Sequence, residues 1–298
     1  MRFFCLGSAV KPLTFANGSI IIVVKKKLLI GKDKQHMDLQ IWTKEIPYLQ
    51  KDAETPNAFH TYFLDTDEPL PCIVVLPGGG YGKRAPHEGV PIAEFFNSQG
   101  FHAVVVDYRV SPNRHPAPLA DVQRTIRTLR ANATEWKIDP QKIVTCGFSA
   151  GGHLCGSTIL FPDVYSTDME PDEIDTYNCT PNGAILCYPV ISVSDVYGHI
   201  NSGKRLLGEE RYEKEQAEFC LEKKVTANTP KVFLWHTSTD EIVNVKNSLV
   251  FAEKLRDNEI PFEMHIFPVG RHGLGLAKAY PDVSEWARLA ANWVKRNI

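Results

Sequence analysis

Residues 145–153, TCGFSAGGH, set one serine between two glycines directly after an apolar run. Gly147 stands two residues before Ser149 and Gly151 two residues after it. A β-type run, KIVTCGF, ends before the serine, and a helical run, SAGGHLCGSTIL, starts at it. This context predicts a sharp strand-to-helix turn that pushes the hydroxyl out at a sheet edge in strained backbone. Side chains two residues away on either side would collide, so both positions are glycine. A hydroxyl displayed in this way suits nucleophilic attack on an acyl carbon, provided that a base takes its proton and an acid orients the base.

Candidates for both follow in the chain. Asp240 comes just past the strand-like KVFLWHT, and His272 sits in VGRHGLG, after FEMHIFP, in a loop carrying Gly270, Gly273 and Gly275. Hydrolases built on such an elbow keep the chain order serine, acid, histidine. His236 is a rival base, read as structural because it shares the strand and loop of Asp240. His153 and His265 read as packed or capping groups, while His87, His102, His115 and His199 carry no spacing signal. Asp195, after the preceding strand, and Glu241 are rival acids. The chemistry also needs donors for a developing oxyanion. In LPGGGYG (76–82), consecutive glycines follow the strand CIVVL and leave N–H groups uncovered; Gly79, Gly80 and Ala150 are the expected donors. A phosphate-cradling reading of GGGYGK fails because Arg84, not serine or threonine, follows Lys83.

Positioning these groups requires a sheet with one open edge. Short apolar runs at 72–76, 102–108, 142–148, 183–189, 231–237 and 262–268 read as parallel strands buried on both faces. LQIWTKEIP (39–47) and AFHTYFLDTD (58–67) alternate and read as an antiparallel edge hairpin. Helical patterns fall at 88–100, 119–136, 244–260 and 282–298. The expected class is α/β, a mostly parallel doubly wound sheet with an antiparallel N-terminal edge hairpin and small rim insertions. Two segments, 161–181 and 191–230, break the rhythm and are expected to rim the site. Over 161–180, Asp163, Asp168, Glu170, Asp172, Glu173 and Asp175 appear with no lysine or arginine. A rim of that kind would suit sugar hydroxyls and short acyl groups better than alkyl tails.

Composition sets outer bounds. A chain of 298 residues, 43% of them hydrophobic, suffices for one large domain, placed at 37–298. A net charge of −2 excludes a basic field for nucleic acid or an anionic membrane. Seven cysteines without a CxxC pair read as reduced thiols in a cytoplasmic protein with no structural zinc. No cofactor or metal is expected, and no oligomeric state is indicated. Residues 1–36 form an atypical extension. GKDKQH before Met37 can be encoded by a purine-rich ribosome-binding pattern, so the biological start is expected at Met37.

Taken together, PGGGY, HEG, DYRVSP…HPAPLADVQRTIRTLR and IDPQKIVTCGFSAGGHL resemble the α/β-hydrolase-fold serine esterases related to hormone-sensitive lipase. Within these they are most similar to the acetylxylan-esterase and feruloyl-esterase-like group, often labelled xylanase B-like. The resemblance spans about residues 70–298 and is dense between 76 and 154. It implies the triad Ser149, Asp240 and His272, an acyl-enzyme intermediate, and a small ester substrate such as an acylated sugar. Pro77 stands where HGGG-type loops carry histidine, a departure the xylan-esterase-like group shares. Xylanase activity itself is not implied, since glycosidases need two carboxylates across a cleft. Two other readings stay open. One is amide cleavage by the same triad, as in arylformamidases or small-peptide hydrolases; the other is a non-catalytic relic that binds a small molecule.

Overall fold

The computed structural model describes residues 36–51, 53–164, 170–194 and 196–298, with short strand pieces before residue 36 given by backbone alone. The main strands are β1 (Lys34–Gln40), β2 (Ala58–Leu64), β3 (Leu70–Leu76), β4 (His102–Val106), β5 (Ile138–Phe148), β6 (Gly183–Cys187), β7 (Lys231–Thr237) and β8 (Phe262–Phe267). With Leu28–Leu29 at the outer edge, they form one sheet in the order β1-β2-β4-β3-β5-β6-β7-β8. Strands β3 to β8 run parallel; β2 adds antiparallel to β4, and β1 antiparallel to β2. The winding reverses between β3 and β5. The loops leaving their carboxyl ends therefore diverge and open a crevice, the usual place for a ligand in such a sheet.

Helices cover both faces. On one side lie α2 (Ala117–Ala131), α3 (Ala150–Leu160) and α6 (Lys246–Asp257); on the other lie α1 (Val90–Ser98) and α7 (Pro281–Asn297). Strand β3 shows why the runs are continuously apolar. Cys72, Val74 and Leu76 enter the core under α2 and α3, while Ile73 and Val75 enter the core under α1 and α7. Strand β8 departs from the doubly buried reading: it is an edge strand, and Phe262 and Ile266 are exposed. Between β6 and β7, α4 (Ile200–Leu207) and α5 (Glu209–Glu215) form the only α-helices of that insertion among the described residues.

The edge hairpin is present, but its first strand lies at Lys34–Gln40 rather than 39–47. Side-chain competition with the ladder is the reason. Just past the strand end, the Asn57 amide takes over: Trp42 N donates to its Oδ1 (2.7 Å), and its Nδ2 donates to Trp42 O (2.8 Å). The Trp42 indole then turns inward to Asp121 (2.8 Å), which also holds the fully buried Arg109 (2.8 Å). Strand β1 begins ahead of Met37, so the paired edge takes in the end of the 1–36 segment.

The described parts of the acidic segment, 161–164 and 170–181, do not rim the carboxyl edge, contrary to expectation. The segment follows α3, which runs back from Ser149, and eleven residues carry the chain about 16 Å. At its far end, Asn182 N bonds Ile143 O (2.7 Å), at the opposite end of the paired part of β5. Three of its carboxylates are taken up by α2: Arg124 binds Asp172 (2.5 Å) and Asp175 (2.6 Å), and Arg127 binds Asp163. Asp168 lies outside the described residues.

His60 bridges the antiparallel edge to the parallel sheet. Its Nδ1 meets Asp38 (2.7 Å) and its Nε2 meets Asp107 (3.0 Å), which also accepts from Arg84 (3.1 Å). The Asp107 hydrogen bond, opposed by burial and aided by Asp38, raises the imidazole to about 9. A raised pKa stabilises the fold fully below the unfolded value, about 6.5, and that contribution disappears as pH rises through about 9. A His60→Gln variant should therefore be less stable by about 1–3 kcal/mol at pH ~6. The gap should close by pH ~10. Thermal melts across this range check it; a gap that does not narrow would contradict the assignment.

Candidate active site

Ser149 sits between β5 and α3 at φ 54°, ψ −118°, a strained conformation for a side-chain-bearing residue. The surroundings hold it there. Its N–H donates to Cys187 O (3.0 Å), and its carbonyl accepts from Val190 N (3.0 Å) and His153 N (3.1 Å). A Cβ on Gly147 would lie 2.1 Å from Gly151 O, and one on Gly151 would lie 2.2 Å from Leu76 O. The collisions that demand glycine at both positions are thus with backbone, and they let α3 pack onto the end of β3.

Three separate loops converge on this serine. His272 Nε2 is 2.8 Å from Ser149 Oγ, and His272 Nδ1 is 2.6 Å from Asp240 Oδ2. The other oxygen of Asp240 accepts from Ile242 N and Val243 N, each at 2.9 Å. Burial pushes the Asp240 carboxyl upward. Hydrogen bonds from His236 and His272, the His272 charge and the Val243 N–H together outweigh burial and hold it well below the usual carboxylate range. An ionised Asp240 fixes the proton of neutral His272 on Nδ1 and leaves Nε2 free to accept from the serine hydroxyl.

The rival residues have other occupations. His236 is fully buried, bonding Ser248 Oγ (2.8 Å) and sharing its Nε2 between Val243 O (2.9 Å) and Asp240 (3.4 Å). His153 is buried between Tyr81 OH (2.9 Å) and Phe219 O (2.8 Å), and His265 pairs with Glu263 (3.0 Å). His102 bonds Leu64 N and Lys137 O, and His115 packs on Phe219. Glu241 is exposed. Asp195 lies outside the described residues.

The glycine loop after β3 is tied down along its length. Tyr108 OH donates to Pro77 O (2.5 Å), Gly78 N to Glu88 (2.8 Å), and Ser111 N to Tyr81 O (2.8 Å). Gly79 (φ 133°) and Gly80 (φ 63°) occupy left-handed backbone that side chains disfavour. A Cβ on Gly78 would lie 3.1 Å from Ser149 Cβ, so the loop passes directly against the serine. Among the described residues, the N–H groups of Gly79, Gly80 and Ala150 make no hydrogen bond. Ala150 opens α3, where N–H groups lack an intrahelical acceptor. Gly78 N–H, by contrast, is already bonded.

Four residues beside the site carried no reading of a role there from sequence. Glu88, within the HEG motif, and Tyr188, at the end of β6, are buried and bonded to each other (2.6 Å). His199 bonds Ser202 (2.8 Å). Burial, then the charges of His272 and Arg205, keep it below the ordinary histidine value. Arg205 reaches across to Gly80 O (3.3 Å). Spatial proximity alone marks them, since no local spacing rule joins them to Ser149.

Among the described residues one group, His36, Asp38 and His60, has metal-ligand composition. Both ring nitrogens of His60 are already bonded to carboxylates, so it reads as an ion-pair cluster. A cavity of about 610 Å³, lined in part by Arg130, Gln141, Tyr177 and Asn182, lies at the amino edge of the sheet and holds no candidate site residue. The six described cysteines are buried and free.

The sheet order, the strained elbow and the Ser–His–Asp convergence together define an α/β-hydrolase-fold protein, as the motifs suggested. The BD-FAE family model matches residues 62–255, and the chain belongs to that family. It is 41% identical over 243 residues to endo-1,4-beta-xylanase B of Butyrivibrio fibrisolvens, across 80% of this chain and 38% of that protein. It is 31% identical over 238 residues to an acetylxylan esterase of Xylanibacter ruminicola, across 78% of this chain and 47% of that protein. The chain thus spans less than half the length of these two curated relatives. A solved structure, the acetyl ester-xyloside bifunctional hydrolase of Caldicellulosiruptor lactoaceticus, matches with a TM-score of 0.82 and 41% identity, over 87% of this chain and 95% of that one.

Proposed function

We propose that the protein is a serine carboxylesterase that removes short acyl groups, acetyl foremost, from carbohydrate hydroxyls. One observation carries the reading: an unbroken relay from Asp240 through His272 to Ser149 stands beside N–H groups without acceptors. Ser149 Oγ attacks the ester carbonyl carbon while His272 Nε2 takes its proton. The oxyanion is met by N–H groups of Gly79 or Gly80 and Ala150. His272 then returns the proton to the departing alcohol, leaving an acyl group on Ser149. Water, deprotonated by the same nitrogen, attacks that acyl group; the bond to Ser149 Oγ breaks, His272 returns the proton to Oγ, and the acid is freed. Asp240 keeps His272 in the working tautomer throughout.

The carbohydrate part of the proposal draws support from relatives named for acetylxylan and acetyl ester–xyloside hydrolysis. It also draws on the polar side chains beside the site, Arg205 on the glycine loop and His199, which the buried Ser202 holds from behind. The acidic segment no longer contributes. The catalytic domain is read as residues 37–298. No helix among the described residues is long and apolar enough to cross a membrane, and the free buried thiols fit a reducing, cytoplasmic setting.

The test is a nitrophenyl ester series from C2 to C12, run beside acetylated xylo-oligosaccharides. Acetyl esters should exceed octanoyl esters in kcat/KM by at least about tenfold, or ~1.4 kcal/mol. Acetate should also be released from the oligosaccharides. A maximum at octanoyl or longer, with no sugar deacetylation, would overturn the substrate class.

A further inference from the structure

Glu88 is a buried carboxylate to which the hydrolytic steps assign nothing. Its side chain is 3% exposed and ends the single turn Pro86–Glu88 that follows the glycine loop. A buried carboxylate is strongly disfavoured unless donors meet it. Two do: Gly78 N–H on Oε2 (2.8 Å) and the Tyr188 hydroxyl on Oε1 (2.6 Å). His87 Nε2, 3.6 Å from Oε1, turns instead to Gly273 O (3.0 Å).

Tyr188 continues the chain of contacts. Its phenol oxygen accepts from Gly275 N (2.8 Å), and its ring stands edge-on to the His272 imidazole, centroids 5.1 Å apart. Burial, then the Glu88 charge, raises its phenol well above the ordinary value, so it remains protonated and donates. One line of hydrogen bonds therefore runs Gly78–Glu88–Tyr188–Gly275. It joins the loop that offers oxyanion donors to the loop that carries the base, and 100 residues separate its two side chains.

We infer that Glu88 and Tyr188 are positioning residues that hold the oxyanion loop and the histidine loop in register with Ser149. The inference rests on the proposed esterase reading. Fixing the Gly78 peptide sets the direction of the next two, which carry the uncommitted N–H groups of Gly79 and Gly80. Those donors matter most once negative charge has grown on the carbonyl oxygen. Loosening them should depress kcat and leave KM nearly unchanged, whereas a purely structural carboxylate would show itself in stability alone.

The experiment measures kcat and KM on nitrophenyl acetate for wild type, Glu88→Gln, Tyr188→Phe and the double variant. Each is normalised to sites titrated by a nitrophenyl phosphonate. Each single variant should lose about 10- to 100-fold in kcat per titrated site, with KM within about threefold. The double variant should fall no more than about threefold below the worse single, because both break the same chain. Wild-type kcat per titrated site in Tyr188→Phe, which keeps the ring, would overturn the inference even if Glu88→Gln fails to fold. A double variant showing the full product of the single losses would also overturn it. Wild type that does not titrate on Ser149 would instead overturn the esterase reading beneath it.

Discussion

Ser149→Ala should lose at least about 10³-fold in kcat while unfolding at the wild-type temperature. The two halves of this prediction have separate causes. The hydroxyl bonds His272 Nε2, so its removal takes away the nucleophile and the proton that His272 accepts. The backbone bonds that hold the elbow, to Cys187, Val190 and His153, involve no side-chain atom of Ser149 and survive the change. Alanine meets about the same strain at φ 54° as serine does. Residual turnover would come from the oxyanion donors and substrate binding, which still favour attack by water. Steady-state hydrolysis of nitrophenyl acetate, with a melt on the same sample, checks both halves. A variant that keeps more than about a tenth of wild-type kcat would exclude Ser149 as the nucleophile.

Asp240→Asn should cost about 10³- to 10⁴-fold at neutral pH. The asparagine oxygen can still accept from Ile242 N and Val243 N, so the amide nitrogen falls where Oδ2 faced His272. That nitrogen only donates. His272 must then present Nδ1 as an acceptor and carry its proton on Nε2, aimed at Ser149, where no proton can be taken. The same amide nitrogen would face His236 Nε2, now 3.4 Å from the carboxylate, so some stability is lost as well. Glu241→Gln, at an exposed position, should leave kcat within about twofold of wild type. Asp240→Asn, Glu241→Gln and Asp195→Asn measured together at pH ~7 check the assignment. Asp195→Asn proving more damaging than Asp240→Asn would move the acid to the preceding loop.

The residues most legible in the sequence were those whose constraint is local. Gly147 and Gly151 are forced by contacts within the elbow and at the end of β3. Strands β3 to β7 are apolar on both faces because each face meets its own helices. Asp240 and His272 were readable because chain order and the end of a strand placed them. The acidic segment was misplaced because a break in the strand–helix rhythm was read as a rim insertion at the carboxyl edge. A helix after a parallel strand returns the chain to the opposite edge. The residues that neutralise it, Arg124 and Arg127, sit one strand earlier on α2 and gave no local signal. The slip in β1 came from one side chain, Asn57, whose amide substitutes for a ladder partner. Glu88 and Tyr188 stayed hidden for a similar reason. Neither type announces chemistry by spacing, and only the fold brings the HEG turn against the end of β6.

The central claim is that an acyl group passes through Ser149. The most direct measurement is intact-mass and peptide-map spectrometry of enzyme quenched in acid during turnover of an acetyl ester, beside enzyme inactivated by a nitrophenyl phosphonate. The account predicts one adduct per chain in the phosphonate sample and a transient acetyl adduct in the quenched sample, both on the peptide containing Ser149 and both missing from Ser149→Ala. Rapid ester hydrolysis with a phosphonate adduct on another residue, or with undiminished labelling of Ser149→Ala, would contradict it.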